Sequence, residues 1–98
     1  MTIYQSKPTQ VDAHQVPESK NAQGTLVTML NYRGGEAYLH DSERVTEDYT
    51  VPSHISLRAN PFATGFEKAY PGDWIIIRVT GHFEIWSDEE FTKFFEAV

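Results

Sequence analysis

Residues 74–79, Trp-Ile-Ile-Ile-Arg-Val, constrain the fold of this chain more than any other stretch. Four consecutive large apolar residues cannot alternate between a core face and a wet face. In a strand they require apolar cover on both sides of the sheet. Pro71-Gly72-Asp73 just before them is a turn signal. Proline fixes φ, glycine supplies the positive φ of the third position of a type II turn, and Asp73 caps the turn through its side chain. Thr80-Gly81 then returns the chain into an alternating strand, His82 to Trp86. A two-residue loop would set Val79 against His82, Ile77 against Glu84 and Ile75 against Trp86. Ile76 and Ile85 would then meet on the other face, as would Arg78 and Phe83. Threonine fits the positive φ of a type I′ turn poorly, which keeps a longer loop open as an alternative.

A strand buried on both faces needs a cover, and the C-terminus offers one. Ser87 and Glu90 form an S-x-x-E capping box, and Asp88, Glu89 and Glu90 put negative charge at the positive end of a helix dipole. Phe91, Phe94, Phe95 and Val98 fall at i, i+3, i+4 and i+7, a single apolar stripe. Burying each Phe stabilises by roughly 1.5–3 kcal/mol, so the helix is expected to dock on the sheet. The alternative is a helix that offers its Phe face to a partner.

The rest of the chain reads as short elements. Residues 9–16 alternate, with Val11 and Ala13 opposite Asp12 and His14, as in a strand begun after Pro8 and ended by Pro17. Residues 22–33 place Leu26, Met29, Leu30 and Arg33 at helical spacing, with Asn21 as cap and Gly34-Gly35 as stop, although Gly24 and three β-branched residues weaken the helix. Residues 36–40 form a short strand with Ala37 and Leu39 on one side. Residues 41–53 are polar and acidic, as in a loop, and 54–59 alternate Ile55 and Leu57 against His54, Ser56 and Arg58. Residues 60–70 read as a turn followed by a strand with Phe66, Lys68 and Tyr70 on one face, in preference to a helix opened by Asn60-Pro61. The expectation is a single α+β domain over 1–98. It is mainly an antiparallel sheet of four or five strands with a C-terminal amphipathic helix packed on it and a short helix near 22–33.

Composition limits function. Ninety-eight residues suit one domain, and 40% hydrophobic content suffices for a core without disulfides or structural metal. With no cysteine, a disulfide scaffold, cysteine zinc sites and thiol catalysis are excluded. The first ten residues lack the basic and apolar regions of a signal peptide, and no apolar run reaches the length of a membrane span. These features point to a soluble, cytoplasmic protein that does not engage a membrane. Net charge is −6. Residues 36–48 carry Glu36, Asp41, Glu43, Glu47 and Asp48 against Arg44 alone, and 84–96 carry five acids against Lys93, a net of −4 each. Direct binding to nucleic acid, which needs clustered Lys and Arg, is not expected, whereas a protein with a basic surface is a fitting partner.

No catalytic frame stands out. His14, His40, His54 and His82 form no metal-ligand pattern, although His54 and His82 could meet across strands. Ser53, beside His54, and Ser56 lack a recognisable triad context. No cofactor or metal is implied, and an enzyme is the least supported class. The aromatic residues open to an interface role are Tyr4, Tyr32, Tyr38, Tyr49, Phe62 and Tyr70, with Tyr49 in the acidic segment foremost. The residues assigned to partner binding are therefore Glu36, Asp41, Glu43, Glu47, Asp48 and Tyr49, within the acidic stretch from Glu36 to Pro52.

Pro71, Gly72, Asp73, Trp74, Ile75, Ile76, Val79, Gly81, Phe83, Phe91, Lys93, Glu96 and Val98 give the chain a further reading. Residues 71–98 resemble the C-terminal signature of a family of small bacteriophage and prophage proteins, with a P-G-D-W-hydrophobic strand, a V-x-G-x-F turn and a closing helix. Residues 4–16, where Lys7-Pro8 precedes a strand, are similar to that family's opening. The departures are Arg78 in place of a common glycine, Glu84-Ile85-Trp86 in place of a bend with proline and cysteine, and Asp88 in place of a proline at the helix start. The resemblance implies phage origin and an α+β fold, and it carries over no catalytic residue. The expected function is that of an accessory protein that binds a host or phage protein, such as a host defence or gene-expression factor. The alternative is a small-molecule or nucleotide-sequestering protein, against which stands the lack of a basic cluster in the sequence. A homodimer through a sheet edge is compatible with either.

Overall fold

The computed structural model describes residues 3–6 and 9–97, with side chains from 11 to 95. Pro8 as a strand start and Val98 as the end of the Phe stripe lie outside the described residues. The elements run β1 (Ile3–Ser6), β2 (Thr9–Gln15), α1 (Lys20–Tyr32), β3 (Glu36–His40), β4 (Glu43–Arg44), β5 (Thr50–Val51), β6 (His54–Arg58), β7 (Glu67–Ala69), β8 (Trp74–Ile77), β9 (Phe83–Trp86), α2 (Asp88–Phe94) and β10 (Glu96–Ala97). All pairings are antiparallel. The fold is α+β, as the patterning implies, but the strands divide among three sheets ordered β10-β1-β2-β8-β9, β3-β6-β7 and β4-β5.

Strand β8 is buried along its whole length and divides the interior. Ile75 and Ile77 face a core shared with Leu26 and Leu30 of α1 and with Ala37, Ile55, Leu57 and Ala69 of the three-stranded sheet. Trp74 and Ile76 face the opposite way, onto Val11, Ala13, Phe91 and Phe95. The two covers demanded by the apolar run are thus α2 on one side and α1 with the second sheet on the other.

The β8–β9 register differs by one residue from the two-residue-loop expectation. Ile77 pairs with Phe83, Ile76 with Glu84, Ile75 with Ile85 and Trp74 with Trp86. The cause is a three-residue loop. Gly81 N donates to Arg78 O and Arg78 N to His82 O, each at 2.9 Å, and Gly81 takes φ +88° after the turn. A one-residue shift exchanges the faces of a strand. Phe83 and Ile85 therefore turn to the shared core, and Val79, at the tip, is fully solvent-exposed. Glu84 comes to the α2 side, where Arg78 forks onto it through Nε (2.8 Å) and Nη2 (3.0 Å) and Trp86 Nε1 donates to it (3.0 Å).

Helix α2 begins as the capping box implies, with Ser87 Oγ accepting from Glu90 N at 3.2 Å. The expected stripe is corrected at Phe94, which is 61% exposed and meets only the edge of Trp86, while Phe91 is 1% exposed and stacks on Trp74 at 4.0 Å. The helix ends at Phe94, and Phe95 has extended dihedrals that let its ring fall back onto Phe91 and Trp86. Helix α1 starts two residues earlier than its apolar spacing implied, and Ser19, not Asn21, caps it by accepting from Ala22 N at 3.1 Å. Its C-terminal Arg33 is tied to β2 by Nη1 to Asp12 Oδ2 at 2.8 Å. His14 Nε2 lies 3.0 Å from the other Asp12 oxygen. Next to the helix stop, Gly35 packs where a Cβ would meet Leu30 O and the Phe83 ring at 2.9 Å, so only glycine lets β9 approach so closely. Residues 41–53 are not an open loop, since β4 and β5 pair within them, and 54–58 are buried on both faces except at Arg58 because β6 is the central strand of its sheet.

This packing has two measurable consequences. Phe91→Ala lowers stability by about 3–5 kcal/mol, whereas Phe94→Ala costs about 1 kcal/mol or less, measured by chemical denaturation. The reverse order would refute the assigned helix face. The Arg78 hydrogen bonds hold the Glu84 carboxyl below its ordinary value of 4.5, against an opposing effect of burial. A depressed folded value means that the stabilisation is complete above the unfolded value and is lost as pH falls through the folded one. Glu84→Gln should therefore lower stability at about pH 7, and its gap to wild type should narrow as pH falls below the ordinary glutamate value of 4.5, read from denaturation midpoints across that range.

Candidate functional site

The three-stranded sheet turns Ala37, Leu39, Ile55, Leu57 and Ala69 inward and leaves its other face to nine residues in three rows. Register aligns Tyr38, Ser56 and Lys68 in the middle row. One flanking row runs Glu36, Arg58, Phe66, in which Arg58 Nε donates to Glu36 at 2.9 Å, its guanidinium lies 4.7 Å over the Phe66 ring, and Nη1 donates to Ala63 O. The other runs His40, His54, Tyr70, with ring centroids 4.9 and 4.8 Å apart. Tyr38 leans onto Phe66 at 5.6 Å and donates its hydroxyl to Glu36 at 3.1 Å, which raises the phenol above its usual value of 10.0.

This array changes the histidine reading. His54 meets His40 and Tyr70, whereas His82 sits in the β8–β9 turn, so the expected His54–His82 approach does not form. His54 Nδ1 donates to Pro52 O at 2.9 Å, a carbonyl being able only to accept, which fixes the imidazole tautomer. Among the described residues no three His, Asp or Glu side chains converge to hold a metal. Ser56 Oγ and His40 Nε2 lie 2.7 Å apart, the spacing of a nucleophile and its base. Ser56 lies mid-strand in β6, whose backbone N–H groups serve the ladders to β3 and β7, with Tyr38 and Lys68 as its cross-strand neighbours.

The six residues assigned to partner binding separate. Glu36 is engaged by Arg58 and Tyr38 at one end of the sheet face. Asp41 pairs with Lys20 at the N-terminus of α1, an exposed pair of small energetic weight. Glu43, Glu47, Asp48 and Tyr49 stay together on the β4–β5 hairpin, where every residue from 40 to 50 is exposed. Val45 N and Thr46 N donate to Tyr49 O at 3.0 and 3.1 Å, closing a tight turn with Glu47-Asp48 at its tip. Of the expected exposed aromatics, Tyr32, Tyr38, Tyr49, Phe62 and Tyr70 are exposed, and the Tyr4 side chain lies outside the described residues.

The hairpin and the sheet face meet at a depression of about 610 Å³ lined by Glu18, Tyr49, Pro52, Tyr70 and Pro71. Three distant chain segments are locked together there. Gln23, fully buried, donates through Nε2 to Pro17 O (2.8 Å) and Ser53 O (3.0 Å). Val16 N bonds Asp73 O at 2.8 Å and Gly72 N bonds Val16 O at 3.0 Å, which brings Glu18 beside Pro71. His54 joins the other two by bonding Pro52 and stacking on Tyr70, and Asp73 Oδ2 holds Tyr70 N at 2.9 Å. Sequence reasoning missed Glu18, Gln23 and the role of His54. The polar register of residues 54–58 carried part of that signal, but Glu18 and Gln23 lie far from the acidic segment in sequence and only folding brings them near it. No family model, no curated protein and no solved structure matches this chain.

Proposed function

We propose that this chain is a small phage-encoded accessory protein that acts by binding a host or phage protein, without catalysis. The phage assignment rests on the likeness of residues 71–98 and 4–16 to the phage and prophage family. The binding reading is carried by one observation, the exposed β4–β5 hairpin with Glu43, Glu47 and Asp48 around Tyr49. Clustered acids steer a basic surface toward them, and tyrosine supplies contact area at low entropic cost. The partner is a protein with a basic face, such as a host defence or gene-expression factor.

Affinity capture from host lysate tests this when wild type is compared with the triple variant Glu43→Gln, Glu47→Gln, Asp48→Asn. The expected result is a protein retained by wild type at low salt and lost both with the variant and as ionic strength rises. Equal retention by the two chains would defeat the assignment of the hairpin.

A further inference from the structure

We propose that the depression between the hairpin and the sheet is a cage for a single arginine side chain of the partner, a specification that rests on the basic-partner reading above. Its lining is one carboxylate, two tyrosines and two prolines: Glu18, Tyr49, Tyr70, Pro52 and Pro71. Aromatic faces attract cations through the ring quadrupole, and the attraction grows as the cation sheds water. A guanidinium suits such a cage better than an ammonium. It is planar, weakly hydrated, stacks on aromatic rings, and forks onto a carboxylate with two parallel N–H groups.

The charges at the site fit that occupant. Glu18 is exposed and, among the described residues, has no ion-pair partner. The Tyr70 ring packs against His54 at 4.8 Å between centroids, its plane tilted by 31°. Tyr49 lines the depression from the hairpin, preceded in sequence by the acids of the tip. Among the described residues no lysine or arginine lines the depression.

The site is also held in place before anything binds. The segment before Glu18 is clamped to the segment after Pro52 by the Gln23 amide, and Pro52 is joined to Tyr70 through His54. A fixed cage avoids the ordering cost that a floppy surface incurs on binding. Buried Gln23 thus acts as a positioning residue: it contacts none of the ligand but holds two of the three walls together.

The test uses the intact chain and three peptides of the form acetyl-Gly-X-Gly-amide, where X is arginine, lysine or citrulline, titrated by two-dimensional amide NMR. Citrulline keeps the shape of arginine without its charge. The expected result is saturable shifts at residues 17–19, 49–52 and 70–72 with the arginine peptide, at least several-fold weaker binding of lysine and at least tenfold weaker binding of citrulline. Glu18→Gln, a substitution at an exposed position, should weaken the arginine peptide about tenfold, and Tyr49→Ala by several-fold. Each variant is checked for folding by its unchanged amide spectrum elsewhere. Shifts confined to residues 43–48, equal binding of lysine or citrulline, or an unaffected Glu18→Gln variant would overturn the cage. Because the peptides probe the chain alone, failure here leaves the binding reading to be decided separately, by the capture experiment with the hairpin variant.

Discussion

The fold depends on burying β8 from both sides. Its four side chains alternate strictly, Ile75 and Ile77 to one core and Trp74 and Ile76 to the other, and neither core is complete without a different partner. On the α2 side the partner is aromatic. Phe91 stacks on Trp74, Phe95 stacks on Phe91 and turns its edge to Trp86, and Trp74 Nε1 is satisfied by Asp88 at 2.8 Å. That last bond makes Asp88 both a helix-start charge and the hydrogen-bond acceptor for a buried indole. On the other side the partner is a second sheet, and its inward alanines, Ala37 and Ala69, are small enough to let α1 and β9 approach. In a chain of this length there is little other interior, so loss of either cover leaves half of β8 without apolar contact.

What could be read from the sequence was what local patterning determines. The turn at Pro71-Gly72, the doubly buried strand, the capping box and the polar-apolar alternation of 36–40 all reflect short-range rules, and each stands in the structure, whereas 54–58, which the same alternation reads as half-buried, is buried on both faces as far as Leu57. What misled was length. The β8–β9 loop has three residues where two were counted, and that single residue moves Glu84 to the opposite face. The α2 helix stops at Phe94, so the i+3 member of its stripe points to water while Phe95 reaches the core by leaving the helix. Periodicity identifies which residues can share a face, but not where an element ends.

The site was less legible than the fold for a related reason. Each of β3, β6 and the segment 66–70 was read with a polar face, but only the pairing shows that these faces coincide, giving three rows of side chains on one surface. The depression at its end draws on residues near 18, 50 and 70, which no window of sequence contains. They are joined by two buried polar side chains: Gln23 donates to Pro17 O and Ser53 O, and His54, which donates to Pro52 O in its own segment, packs its ring against Tyr70. A buried amide or imidazole donor without a partner would be costly, so these bonds add a polar tie to segments that the core holds at Val16, Ile55 and Ala69.

The distribution of charge bears on the proposed binding of a basic partner. Five of the described cations are in ion pairs: Lys20 with Asp41, Arg33 with Asp12, Arg58 with Glu36, Arg78 with Glu84 and Lys93 with Glu89. Arg33, Arg58 and Arg78 do so while tying together elements of the fold, and those pairs are only part-exposed. Arg44 and Lys68 are in no such pair among the described residues; Glu18 lines the aromatic depression, while Glu43, Glu47 and Asp48 lie with Arg44 on the adjoining hairpin. Charges on the hairpin act over about a Debye length, roughly 8–10 Å in physiological salt, and so bias the approach of a basic surface. In the proposed reading, discrimination between one cation and another comes from the short-range geometry beneath them, where Glu18 has no ion-pair partner among the described residues. On that proposal attraction and selection fall to different residues, the hairpin tip for the first and the cage for the second.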